Sequence, residues 1–347
     1  MERASIAAEL SARRFELVAE LESGGGWGGP ADDVRGGLEV VVDDFAAAVA
    51  LGSAGLLDRS FSWWKIRVRS LGGDPDVVEQ LPCRFAAAML ERAPGCLQPD
   101  ALTLLEHAAA YVRHAPDVAR TGAALHPELV DGGLAHELVQ ALLGGDRITV
   151  GRLVDDERRS PSQLLAAGFE PALREIGARW QNGKMAPSVE HVASRLAHEF
   201  IGRAGRRVPA PPPDAPLVAM LRVEGDDHSL GQDCLRVHFA AAGLRARPFS
   251  AEPGRDVLLD QLVCSGAAAM AVSCMLPAQL LRVRDVIRWL RSAPALATLP
   301  VLVGGGMFAD VPQLATQLGA DGTAVDGSSA AEELAHALLG TAAGAAR

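Results

Sequence analysis

LVAMLRVEGDDHSLG, Leu217 to Gly231, is a short apolar run that breaks into two carboxylates, a histidine and a glycine. The run has strand length and no polar alternation, as a strand buried on both faces requires. Helical periodicity follows over residues 231–242, and the same alternation recurs to the end of the chain. The later apolar runs are RARPF (Arg245–Phe249), AAMAVS (Ala268–Ser273), PVLVGG (Pro300–Gly305) and GTAV (Gly322–Val325). Helices are predicted near 254–264, from Pro277, from Val311 and at the C-terminus. Short strands separated by such helices imply right-handed crossovers and a parallel sheet covered on both faces. The fold class is therefore α/β, a doubly wound, Rossmann-like sheet, preceded by all-α regions. Ligands of such sheets sit outside the carboxyl ends of the strands, at a switch point where the loops diverge.

Upstream, VPAPPPDAP (Val208–Pro216) cannot be helical through its prolines and reads as an extended linker. Residues 123–207 carry four amphipathic segments, LVQALLGGD, VGRLVDDERR, LLAAGFEPALREIGARW and APSVEHVASRLAHEFIGR, the pattern of a four-helix bundle. Residues 1–122 show helical periodicity broken by SGGGWGGPADDVRGG (Ser23–Gly37) and SLGGDPD (Ser70–Asp76). The expected domains are thus an N-terminal helical domain (1–122), a bundle (123–207), the linker (208–216) and the α/β domain (217–347).

The 347 residues suffice for two or three domains, and 49% hydrophobic against 22% charged residues mark a globular chain. A formal net charge of −10 argues against generic nucleic-acid binding, which needs a basic face. Residues 1–120 hold 12 Lys/Arg against 18 Asp/Glu, so the N-terminal third is a poor DNA-binding domain too. The start, MERASIAAEL, lacks a basic segment followed by an apolar core, and charges break every alanine-rich run before it reaches membrane-span length. The five cysteines lie without CxxC spacing, which suits a reducing compartment and no zinc site. A soluble, cytoplasmic protein without nucleic-acid or membrane partners is expected. No P-loop, HExxH or Ser/His/Asp pattern stands out, so the chain reads as a non-enzyme.

Three loops at the predicted carboxyl edge are unusual: Asp226-Asp227-His228-Ser229-Leu230-Gly231, Ser273-Cys274-Met275 and Gly304-Gly305-Gly306. Each has a plain reading. An aspartate caps a helix, Ser273 caps the helix from Pro277, and glycine after a strand serves tight packing. Their conjunction, in this order, resembles the cobalamin-binding pattern DxHxxG, then SxL, then GG, with Met275 in place of leucine, an exchange of similar volume. The resemblance implies cobalamin as cofactor, with His228 as the cobalt ligand and Asp226 orienting its ring. It also implies that Gly231, Gly304 and Gly305 leave room for the nucleotide tail and that Ser273 offers a hydroxyl to its base. Leu230 lies within the first motif and Met275 within the second.

EIGARWQNGKMAPSVEHVASRL (Glu175–Leu196) resembles the cap of light-sensing cobalamin proteins of the CarH type, with Trp180, Glu190 and His191 in its key places. The plain reading makes Trp180 a core aromatic and leaves Glu190 and His191 exposed at a helix start. The resemblance implies that the three surround the upper axial group of adenosylcobalamin. Gln181 stands where that type has a second cobalt-binding histidine, so a bis-histidine photoproduct from this position is excluded.

The N-terminal third contains FSWWK (Phe61–Lys65) and LLEHAAAYVRHAP (Leu104–Pro116), aromatics and histidines that more often serve core and surface than a ligand. The domain order and the F-x-W-W-K stretch are similar to photocobilins, which implies a globin-like domain binding biliverdin, with Arg67, Arg69 and Arg113 as candidates for its propionates. The resulting expectation is a cobalamin-dependent light sensor with a downstream protein effector, and association through the bundle into a homo-oligomer is implied by resemblance alone. The alternative is the corrinoid methyl-carrier subunit of a methyltransferase, which uses the same DxHxxG loop and a helical cap. A mutase fits less well, because no substrate barrel of about 250 residues is present.

Overall fold

The structure, a computed structural model, describes residues 2–27, 31–117, 133–156, 158–223 and 229–340. It divides into two compact units. One comprises Met1–Arg120 with Ala178–Met185 and Leu276–Leu281, and the other Thr121–Gly177, Ala186–Met275 and Arg282–Arg347.

The first unit is helical, as its periodicity requires: α1 (Arg3–Ala12), α2 (Arg14–Ser23), α3 (Ala31–Leu51), α4 (Ala54–Ser70), α5 (Asp76–Glu79), α6 (Leu81–Arg92) and α7 (Pro99–Val112). Leu38, Val42, Phe45 and Val49 bury one face of α3, while Leu57, Phe61 and Trp64 bury one face of α4. A β-carbon on Gly37 would lie 1.7 Å from the Trp64 ring, so glycine lets these two helices approach. Lys65 is buried, and its ammonium reaches Glu79 Oε1 at 2.8 Å and Val112 O at 3.0 Å. A charge taken out of water needs such partners. The F-x-W-W-K stretch is therefore spent mainly on core packing, with Trp63 exposed and Ser62 half-buried. Arg69 pairs with Asp117, His107 with Asp58, and Tyr111 with Ser62, all within this unit.

Asp44 on α3 is fully enclosed, and its Oδ1 accepts the Ala278 backbone N–H at 3.1 Å. Burial pushes its carboxyl up to about 7; neighbouring Asp43 adds to the rise, and bonds from Ser60 and Ala278 with the charge of Arg59 oppose it.

The second unit begins with α8 (Leu134–Leu143), α9 (Arg147–Asp155), α10 (Pro161–Leu164), a π turn (Leu165–Phe169), α11 (Glu170–Gln181, its residues from Ala178 belonging to the first unit) and α12 (Pro187–Gly205). Asp146 caps α9 by accepting the N–H groups of Ile148 and Thr149, and a Ser160–Gln163 capping box opens α10. Residues 208–216 form neither helix nor strand, as their prolines dictate. The boundary between compact units does not fall there, because α12 packs along α13 (Leu230–Ala241), the first helix beyond that segment.

The α/β region continues with α14 (Arg255–Ser265), α15 (Gln279–Ser292), α16 (Gly306–Asp310), α17 (Leu314–Leu318) and α18 (Gly327–Leu339). Its strands are β1 (Leu217–Arg222), β2 (Arg245–Ser250), β3 (Ala269–Ser273), β4 (Val301–Gly304) and β5 (Gly322–Thr323), paired in parallel in the order β2-β1-β3-β4-β5. All five expected strands form. The uniformly apolar β1 and β3 are central and buried, whereas β2, which carries Pro248, takes an edge where its missing donor is tolerated. The helix expected from Val311 is the short α17, which begins beyond Pro312, and α16 before it was not expected; Pro312 keeps the two from joining. The chain leaves β1 outward to β2 and returns across it to β3, so the switch point lies between β1 and β3. Among the described residues no helix is long and apolar enough to cross a membrane.

Asp44 gives a pH test of the N-terminal packing. Between pH about 4 and about 7 the fold keeps a proton that the unfolded chain has released, so stability falls as pH rises, by about 1.4 kcal/mol per pH unit from this group, and levels off above. Asp44→Asn, which cannot ionise, should therefore gain on the wild type across this window in thermal unfolding, and be the more stable protein at pH 8.

Candidate functional site

The three singled-out loops all leave the carboxyl edge of the sheet, as expected. The first follows β1 and the second follows β3, so they flank the switch point, and the third follows β4. Asp226, Asp227 and His228 lie outside the described residues. The described part of that loop starts at Ser229, the N-cap position of α13, with Leu230 as the first helical residue.

Ser273 ends β3 half-buried and pairs in register with Gly304 at the end of β4. Cys274 N–H donates to Gly304 O at 2.9 Å, and the Gly306 N–H points to Met275 Sδ at 3.3 Å. The glycines differ in their reasons. Gly305 has φ +94°, and a β-carbon on it would lie 2.6 Å from Cys274 O, so it is needed for the turn and the close strand contact. A β-carbon on Gly304 would meet only Ala324 O at 3.4 Å, and one on Gly231 would meet nothing within 4 Å. Open space is thus found at Gly231 and Gly304, while Gly305 shapes backbone. A cavity of about 350 Å³ lies beside β1 and β2, lined by Arg222, Gln232, Phe249, Ser250 and Gln261 among others.

The helical block contributes its own polar groups. Glu190 Oε1 accepts the Ser194 hydroxyl at 2.5 Å one turn along α12, and His191 beside it is largely exposed. Trp180 belongs to Ala178–Met185, in the compact unit of the N-terminal helices, where the Arg67 guanidinium lies over its ring at 4.8 Å.

Sequence reasoning missed three residues. His198 on α12 lies 2.7 Å through Nδ1 from Asp233 Oδ2 and 3.3 Å through Nε2 from Ser229 Oγ. The Ser/His/Asp string that the linear sequence did not reveal therefore exists, assembled from two helices. Its hydroxyl sits at a helix N-cap, and the string ties α12 to the first turn of α13 immediately after His228. No local pattern could have found it, since 31 and 35 residues separate the partners. Nearby, burial pushes the Cys234 thiol well up, with Glu170 and Asp233 adding to the rise, which leaves it a packing residue rather than a nucleophile. Among the described residues no cluster of three His, Cys, Asp or Glu is arranged to hold a metal ion.

Residues 134–204 match the family model of a B12 binding domain. The chain is 27% identical over 221 residues to a corrinoid protein of Desulfitobacterium hafniense (strain Y51), covering 60% of this chain and 98% of that protein. Among solved structures it is similar to a cobalamin-binding protein of Desulfitobacterium hafniense DCB-2, at 16% identity and TM-score 0.33 over 57% of this chain and 95% of that one. It is also similar to the monomethylamine corrinoid protein of Methanosarcina barkeri, at 13% identity and TM-score 0.49 over 58% and 96%. The family match and the curated relative support a cobalamin-binding module.

The two kinds of glycine separate by mutation. In the chain without cofactor, Gly305→Ala should cost about 2 kcal/mol or more. Gly231→Ala, inside α13 with free space around it, should raise stability by up to about 1 kcal/mol, both read by thermal unfolding.

Proposed function

We propose that the chain is a corrinoid protein that holds cobalamin at the carboxyl edge of the sheet and carries a group on it for a partner methyltransferase. The observation that carries this reading is the pair of loops flanking the β1/β3 switch point, the DxHxxG loop and Ser273, in a chain whose preceding helices match a B12 binding domain. The residues present fit such a ligand: Gly231 and Gly304 leave free space, and Ser273 presents a hydroxyl at a strand end.

In this reading His228 would hold the cobalt from below through a neutral ring nitrogen, and Asp226 would accept the other ring N–H and fix the tautomer. Gly231 and Gly304 would give the nucleotide tail room, Ser273 would bond its base, and Gly305 and Met275 would keep the β3 and β4 loops in place. Leu230 would start α13 beside the tail. Trp180, Glu190 and His191 remain candidates, by resemblance alone, for contact with the group that the cofactor carries. The cofactor, when bound, supplies a cobalt centre that accepts and releases a carbon group.

A second reading, a sensor in which light removes an adenosyl group, is favoured by one observation: Trp180 is held by the N-terminal helical unit, which a plain carrier does not need. A bilin gains no support from F-x-W-W-K, most of which is buried in the core.

The test is cobalamin uptake by the full chain, followed by absorption and bound cobalt after gel filtration. Wild-type protein should retain about one cobalt per chain, His228→Ala should bind at least about tenfold more weakly, and Gly231→Ala should lose affinity despite its stable fold. Retention unchanged in both variants would refute the site. Methyl transfer from loaded protein to an acceptor thiol, with elution unchanged by green light, marks the carrier. A light-induced change in elution volume of adenosylcobalamin-loaded protein marks the sensor.

A further inference from the structure

Ser229 opens α13 without capping it. A serine at a helix N-cap ordinarily turns its hydroxyl to the N–H groups of the first turn. Here no side-chain cap bond forms, and the backbone is already helical, with φ −94° and ψ −23°. The hydroxyl faces α12 instead, 3.3 Å from His198 Nε2, while Asp233 Oδ2 lies 2.7 Å from His198 Nδ1. The two ring nitrogens thus meet their partners in the order a general base requires. A carboxylate on Nδ1 holds the ring, and a hydroxyl on Nε2 has a proton to give up. Ser229 and Asp233 are four residues apart, so one turn of α13 presents both to a single imidazole. All three residues belong to the second unit, and each is partly open to solvent.

Two further features complete a reaction centre. The first N–H groups of α13 have no intrahelical acceptor, and with the positive end of the helix dipole they suit a developing oxyanion. Space is open beside them at Gly231, where a β-carbon would meet nothing within 4 Å. The cavity of about 350 Å³ at the ends of β1 and β2 reaches the same turn at Gln232. Its walls combine Pro248, Phe249 and Pro253 with the half-buried Arg222, which has no ion-pair partner among the described residues.

We propose that Ser229, His198 and Asp233 form an acyl-transfer site that hydrolyses small carboxylic esters, and that the cavity takes an acyl chain ending in a carboxylate, which pairs with Arg222. The inference goes beyond the corrinoid reading and does not rest on it. Ser229 Oγ attacks the ester carbonyl carbon as its proton passes to His198 Nε2, and the carbonyl electron pair moves onto oxygen, facing the N–H groups of α13. Collapse expels the alcohol oxygen, which takes the proton from Nε2, and leaves an acyl-serine. Water then adds by the same route, so that ester and water become acid and alcohol and the serine is restored.

The experiment uses the full chain without cobalamin, so that a failure of the corrinoid reading leaves it untouched. A fluorophosphonate should phosphonylate wild-type protein at Ser229 with release of fluoride, located by peptide mass spectrometry. Wild-type protein should hydrolyse 4-nitrophenyl acetate and mono-4-nitrophenyl glutarate, with kcat/KM roughly tenfold higher for the charged ester. Ser229→Ala and His198→Ala should each lose about a hundredfold in kcat. Asp233→Asn, which keeps the shape but not the charge, should lose roughly tenfold or more at a melting temperature close to wild type. Arg222→Ala should remove the preference for the glutarate ester. A label on another residue, or hydrolysis unchanged in His198→Ala and Asp233→Asn, would overturn the site. Equal kcat/KM on the two esters, or a preference that survives Arg222→Ala, would overturn the place given to the acyl chain.

Discussion

A buried histidine holds the second unit together. His238, on the inner face of α13 and closed off from solvent, lies 2.6 Å through Nδ1 from Ser162 Oγ and 2.9 Å through Nε2 from Glu170 Oε1. Each ring nitrogen thus has an oxygen partner, a carboxylate on one side and a hydroxyl on the other. Both partners belong to the helices that precede the proline-rich segment. The helix that starts the sheet's first crossover is thereby locked to the helical block by groups that would be costly to leave unpaired. The fit is close: a β-carbon on Gly327, at the start of α18, would meet the His238 ring at 2.6 Å. With His198 bridging to Asp233 and Ser229 at its other end, α13 is fixed at two points, and the loop that contains His228 ends on a rigid element. A binding loop gains from such support, because a ligand atom held by one imidazole needs that ring in one place.

Much of this architecture was legible because it depends on short-range pattern. The runs at 217–223, 245–249, 268–273, 300–305 and 322–325 each gave a strand; the uniformly apolar ones took the centre of the sheet, and RARPF, with two arginines, took an edge. The helix expected from Val311 starts only at Leu314, and an unexpected short one, Gly306–Asp310, precedes it. What could not be read were the pairings over long sequence separations. His198, Asp233 and His238 look like ordinary helix-surface residues until tertiary packing brings their partners. Likewise VPAPPPDAP looked like a domain boundary, yet the helices before it and the sheet after it share one compact unit.

The candidate site was legible in a similarly uneven way. Ser273 and Gly304 proved to be register partners at one strand edge, a relation that their order along the chain only implied. Gly305, assigned to clearance, turned out to be needed by the backbone. The aromatic cluster at 61–65 follows its plainer reading, because Phe61 and Trp64 pack in a helical core where Lys65 reaches Glu79 and a carbonyl. Arg67, expected at a propionate, meets Trp180 instead.

The account turns on one bond, from a histidine to the cobalt of a bound corrinoid. Electron paramagnetic resonance of the chain loaded with cob(II)alamin tests it directly, using protein made with ¹⁵N-labelled histidine. A nitrogen triplet on the high-field cobalt lines that becomes a doublet on labelling, and is lost in His228→Ala, is the predicted result. A triplet unaffected by the label would show the cofactor's own base still bound to cobalt and would contradict the account.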